Sequence, residues 1–149
     1  MGLKERLKSD LTEAIRARDE VRAGTIRMAL TSITNEEVAG KEARILTDAE
    51  IITVLSREAK KRREAAEAYD SAGSKERGDR ERAEGQVIAE YLPSQLSESE
   101  LQEMIKAAIV ETGASGPSGM GQVMKVLSPK IAGRADGSKV SAAVKAALS

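Results

Sequence analysis

The residues best suited to chemistry cluster in the last third of the chain. Gly116 and Gly121 have four residues between them, the interval of a phosphate-binding loop. Such a loop needs a following Lys for the phosphates, a Ser or Thr for magnesium, and a strand leading in. Gln122 and Val123 follow Gly121 instead, and no strand precedes, so we reject a nucleotide triphosphatase. Ser118 lies in Gly116-Pro117-Ser118-Gly119-Met120, where Met120 replaces the second glycine of a nucleophile elbow. No histidine exists to act as its base. The plainer reading is a helix entry, with Gly121 letting another helix come close.

Carboxylate pairs such as Glu36-Glu37 and Glu98/Glu100 suit acid–base or metal chemistry in principle. They sit in stretches rich in balancing charge, which reads better as solvated helix faces. Arg57, Lys60, Lys61, Arg62 and Arg63 form a basic run among Glu58, Glu64 and Glu67. A salt-bridged face is the plain reading there, and a phosphate-facing ridge built on Arg57, Lys61 and Arg62 is the functional one. The C-terminal set differs: Lys125, Lys130, Arg134, Lys139 and Lys145 share residues 113–149 with a single acid, Asp136, leaving a local charge of +4 in a chain of net zero. Gly133 and Gly137 bracket Arg134-Ala135-Asp136, a tight turn into a helix. Helix entries favour anions, although an aspartate cap occupies some of the same N–H groups. These residues fit either a nucleic-acid backbone or an ordinary solvated face.

Composition narrows the chemistry. The absence of Cys and His removes disulfides, thiol nucleophiles, histidine triads and the usual zinc sites. No metal or other cofactor is expected, and no catalytic residue. Tyr69 and Tyr91 are the only aromatic residues, so stacking of single-stranded bases is disfavoured and recognition of folded RNA by backbone and shape remains. No apolar run approaches the ~20 residues of a membrane span, and the charged N-terminus does not resemble a signal peptide. Together with the absence of cysteine, this predicts a cytoplasmic protein without a membrane partner.

The supporting elements read as helices throughout. Leu3, Leu7, Leu11, Ala14 and Ile15 make one stripe over residues 3–18, and Ile26, Ala29, Leu30 and Ile33 another over 19–38. Gly24 weakens this second helix. Thr47 and Glu50 form a capping box opening the longest helix, which ends before Ala72-Gly73-Ser74. A fourth helix, residues 75–92, begins almost wholly charged, with pairs such as Glu76–Arg80, and ends before Pro93. Ser97 and Glu100 suggest a second capping box. A helix follows to Gly113, another runs from near Pro117 until Pro129 ends it, and a last one buries Val140, Val144, Ala147 and Leu148. The expected fold is all-α: an N-terminal four-helix unit over residues 1–92 and a smaller C-terminal three-helix unit over 97–149.

The combination Met120-Gly121-Gln122-Val123-Met124-Lys125 with Gly133-Arg134-Ala135-Asp136-Gly137 resembles the tail domain shared by YqeY proteins and the B subunit of tRNA-dependent amidotransferases. Ile26-Arg27-Met28, Asn35-Glu36-Glu37, Val54-Leu55-Ser56-Arg57-Glu58 and Tyr91-Leu92-Pro93-Ser94-Gln95-Leu96 extend the resemblance to the stand-alone YqeY family over nearly the whole chain. It implies a GatB/YqeY-type tail that associates with tRNA without catalysis. Lys125, Lys130, Arg134 and Lys139 would then contact phosphates, while Gly133 and Gly137 shape the turn. Gly137 stands where the amidotransferase tail often carries Pro. Two other functions remain. One is a helical adaptor for a protein of the translation or aminoacylation machinery, with Met104, Met120 and Met124 as groove candidates. The other is an amidotransferase-like carbon–nitrogen ligase with glutamine as amide donor, for which no residues supply the chemistry.

Overall fold

The computed structural model describes residues 1–149, and they form seven α-helices, one 3₁₀ turn and no strand. The all-α expectation of four helices followed by three matches this order. The chain divides into two compact units, Met1–Leu92 and Pro93–Ser149.

The first unit contains α1 (Leu3–Arg16), α2 (Glu20–Glu37), α3 (Asp48–Ser71) and α4 (Lys75–Ala89). Leu7, Ile26, Ile33, Ile51, Leu55, Ile88 and Tyr91 are central to its core. Ile15 departs from the expected stripe and is 49% exposed. At 100° per residue Ala14 returns to within about 20° of Leu7, whereas Ile15 falls about 80° away. Thr47 makes both halves of its capping box: its hydroxyl accepts from Glu50 N–H at 3.2 Å, and the Glu50 carboxylate accepts from Thr47 N–H at 2.9 Å. Along α4 the i,i+4 pairs are Lys75–Asp79 at 2.9 Å and Arg80–Glu84 at 3.5 Å, rather than the expected Glu76–Arg80.

Two polar ties hold this unit's helix ends. The Glu37 carboxylate, 10% exposed, accepts from Lys4 Nζ at 2.6 Å and from Leu46 N–H at 3.1 Å. It thereby joins the end of α2 to α1 and to the loop before α3. The Lys4 bond, followed by the Leu46 bond, holds its pKa below the ordinary glutamate range. At the α3–α4 turn the Arg82 guanidinium donates to Asp70 at 2.8 and 3.2 Å and to Asp79 at 2.6 Å, which lowers both carboxylate pKa values. Gly78 makes room for this: a Cβ there would meet Asp70 Oδ1 at 2.5 Å and the Ala66 carbonyl at 3.2 Å.

The second unit contains α5 (Glu98–Thr112), a 3₁₀ turn (Pro117–Gly119), α6 (Met120–Ile131) and α7 (Gly137–Leu148). Ile105, Val123, Leu127, Val140 and Val144 are fully buried in its core. Gly113 ends α5 in the left-handed conformation, with φ +65°. At Ser97 the hydroxyl accepts from Glu100 N–H at 3.1 Å, so the first half of the second capping box is made. Three expectations need correcting. Pro129 does not end α6, which continues to Ile131. Proline removes one N–H from the last turn, and buried Ile131 still gains by packing on the core. Gly121 faces open space; Gly119 is the glycine that permits close approach, since a Cβ there would lie 2.5 Å from Ala114 Cβ. Ala147 is exposed, because the α7 stripe repeats every four residues through Val140, Val144 and Leu148.

Gly78→Ala should lower unfolding stability by about 1 kcal/mol or more through overpacking, despite alanine's better helix propensity. Gly24→Ala, with nothing within 4 Å of the new Cβ, should raise it by about 0.5–1 kcal/mol. Urea denaturation of the two variants distinguishes crowding from propensity. For Glu37 the folded pKa is depressed, so its contribution is present above the unfolded glutamate value of 4.5 and is lost as pH falls through the folded value. Glu37→Gln should therefore destabilise the protein at neutral pH and flatten the fall in stability on acidification, measured by urea midpoints across that window.

Candidate nucleic-acid interface

The turn between α6 and α7 positions the C-terminal cations. Gly133 takes φ +73°, a conformation that glycine accepts without a Cβ penalty. Asp136 then caps α7, accepting from Ser138 N–H at 2.9 Å and Ser138 Oγ at 2.7 Å. The cap occupies N–H capacity that an incoming phosphate would otherwise use. Gly137 is the first residue of α7, and a Cβ there meets open space. Its expected role in shaping the turn therefore belongs to Gly133 alone. A first helical position is also one that proline tolerates.

The segment before α5 is fastened onto this turn. Leu96 N–H donates to the Arg134 carbonyl at 2.9 Å, Gln95 Nε2 donates to the Gly133 carbonyl at 2.8 Å, and Arg134 Nε donates to the Ser94 carbonyl at 3.1 Å. Arg134 is partly buried and has this positioning task within the unit. Lys125, Lys130 and Lys139 are exposed. Lys130 makes a 3.7 Å ion pair with Glu111, and both side chains are more than half exposed, so solvent weakens the pair. Lys125 and Lys130 are five residues apart, hence about 140° apart around α6. They flank the helix rather than forming a straight row.

Arg57, Lys61 and Arg62 lie on α3, in the first unit, and each has a carboxylate partner. Arg57 pairs with Glu36 at 3.3 Å, Lys61 with Glu58 at 3.2 Å, and Arg62 with Glu81 and Glu84 at 3.3 and 3.5 Å. The Arg62 side chain is only 14% exposed. This part of α3 has the geometry of a salt-bridged face. Met120 and Met124 pack against the second core, as does Met104. Ser118 is exposed in the 3₁₀ turn, and no three carboxylates converge on a point where they could hold a metal ion.

The family model described as Yqey-like protein matches residues 4–148. The chain belongs to the YqeY family. A curated relative, altered inheritance of mitochondria protein 41, mitochondrial, of Pyrenophora tritici-repentis (strain Pt-1C-BFP), is 29% identical over 133 residues, covering 87% of this chain and 71% of the relative. For this family member, no helix is long and apolar enough to cross a membrane.

Ser94 and Gln95 were not among the expected functional residues. They are polar residues beside Pro93 with no periodicity, and their partners lie 40 and 38 residues away. Arg134→Ala should release the Ser94 carbonyl and speed hydrogen exchange at Leu96, whose N–H reports closure of the turn. A loss of about 0.5–1.5 kcal/mol of local protection is expected. Arg134→Lys has no Nε in that position and should restore little of it.

Proposed function

We propose that the chain is a non-catalytic, tRNA-associated module whose C-terminal unit meets the phosphate backbone through Lys125, Lys130 and Lys139. Arg134 and Gly133 hold the turn between them, and Gly137 lies at the helix entry. The observation carrying this reading is the exposed basic set in a segment with one acid, Asp136, which already caps a helix. The resemblance of the same segment to the tRNA-holding tail of the amidotransferase B subunit supplies the ligand class. Arg57, Lys61 and Arg62 are weaker contacts in this reading, because RNA would compete with their carboxylates for them.

The three lysines lie on different sides of two helices, which suits a folded RNA presenting phosphates over a curved surface better than a straight strand. With no tyrosine in the second unit, stacking has no part. The module is assigned no ligase chemistry: it would hold RNA for a partner of the translation or aminoacylation machinery that supplies any catalysis. A cytoplasmic location belongs to the proposal. The mitochondrial address in the fungal relative's name describes that protein, and translation supplies tRNA in either compartment.

Binding to bulk tRNA should weaken steeply with salt. Lys125→Ala, Lys130→Ala and Lys139→Ala should each reduce the slope of log K against log salt by about 1. Filter binding across a salt series measures this. Salt-independent affinity, or unchanged slopes in the triple variant, would sink the proposal.

A further inference from the structure

The second unit also carries a surface of opposite character. Residues 93–112 hold Glu98, Glu100, Glu103 and Glu111 against Lys106 alone. On the first unit, many helix-face carboxylates are tied to cations, as at Glu36, Glu37, Glu81, Glu84 and Glu90. Glu98, Glu100 and Glu103 make no ion pair, and only Glu111 is bridged, to Lys130. Glu100, Glu103, Met104 and Ala107 of α5 join Leu96 and Arg134 around an open groove. Val110 extends the same side of the helix and is 81% exposed.

The spacing puts these residues on one stripe. At 100° per residue, Glu100, Glu103, Met104, Ala107 and Val110 fall within about 120° of arc. Ile105 and Ala108, which face the core, lie outside that arc. The stripe mixes a shallow apolar floor with unneutralised carboxylates, and Arg134, already donating to Ser94, is the one cation on the groove wall. An anionic polymer or an anionic membrane would be repelled. A helix with an apolar stripe bordered by lysines or arginines would be complementary in both respects. A second copy offering its own basic segment fits less well, because Val123, Leu127 and Ile131 of α6 are buried in its own core and Met120, Met124 and Val126 pack against it.

We propose that the outward face of α5, with Leu96 at its edge, docks a cationic amphipathic helix of a partner protein. α5 has 15 residues, giving a contact of roughly 22 Å at 1.5 Å per residue. Its Met104 thioether, partly buried, adapts to different apolar anchors. The lysine set lies on other helices of the same unit, so RNA and the partner helix need not compete.

The test uses the full chain and a fluorescent amphipathic helical peptide of leucine and lysine matched to the length of α5. A scrambled peptide of the same composition and a glutamate-for-lysine peptide serve as controls. Anisotropy should show binding of the amphipathic cationic peptide, at least about tenfold tighter than either control. Glu100→Gln with Glu103→Gln should weaken it about tenfold, and Val110→Ser about fivefold, with circular dichroism and tRNA binding unchanged. Equal binding of the scrambled peptide, or unchanged affinity in both variants, would overturn the proposal. So would self-association of the peptide-free protein that the double variant abolishes, which would make a second copy the occupant.

Discussion

Both units depend on cores built without Phe or Trp, so each is closed mainly by aliphatic side chains, with Tyr91 the one aromatic, in the first core. Leu, Ile and Val bring less contact area per residue than large aromatics, which raises the demand on accurate helix placement. The polar ties at helix ends meet that demand. Glu37 fixes the segment entering α3, the Thr47 box sets where α3 begins, and the Ser94–Leu96 segment is fastened to Gly133 and Arg134. Tyr91 belongs to the same group: its buried hydroxyl donates to Asp10, and burial followed by that bond raises its pKa. Each tie satisfies a backbone group or a buried side chain at a point where the helix ladder cannot.

The two units use charge differently. In the first, the α2–α3 and α3–α4 surfaces are linked by Arg57–Glu36, Arg62–Glu81 and Arg82–Asp70. Charges spent this way orient helices and leave less field for a ligand. In the second, glutamates gather on α5 while Lys125, Lys130 and Lys139 lie on α6 and α7. This separation puts most of the carboxylates and most of the lysines of one small unit on different helices. Arg134 links them structurally, since it borders the acidic groove while its Nε and carbonyl hold the segment before α5.

The helices were legible in the sequence because their signals are local. Leu7 to Ala14 and Met120 to Leu127 repeat at helical spacing, and the Thr47–Glu50 box lies within one turn. Pro129 misled because proline within a last turn costs less than proline in a helix interior, and its neighbour Ile131 has core to gain. Gly119 and Gly121 are indistinguishable by local pattern; only the position of Ala114 separates them. The exposed lysines could be read from charge counts, whereas the fastening of Ser94 to Arg134 spans 40 residues and leaves no periodic trace. The motifs resembling the YqeY family identified the chain's relatives, but the pairing of Arg57, Lys61 and Arg62 required coordinates.

The central claim is that phosphate meets protein at the exposed lysines of α6 and α7. Amide chemical-shift mapping during a tRNA titration tests it most directly. The predicted result is a salt-sensitive set of shifts at Lys125, Lys130, Gly133 and Lys139, with α5 from Glu98 to Glu103 unaffected. Shifts centred on α5 or confined to α3, or none at a tRNA concentration well above that of the protein, would contradict it.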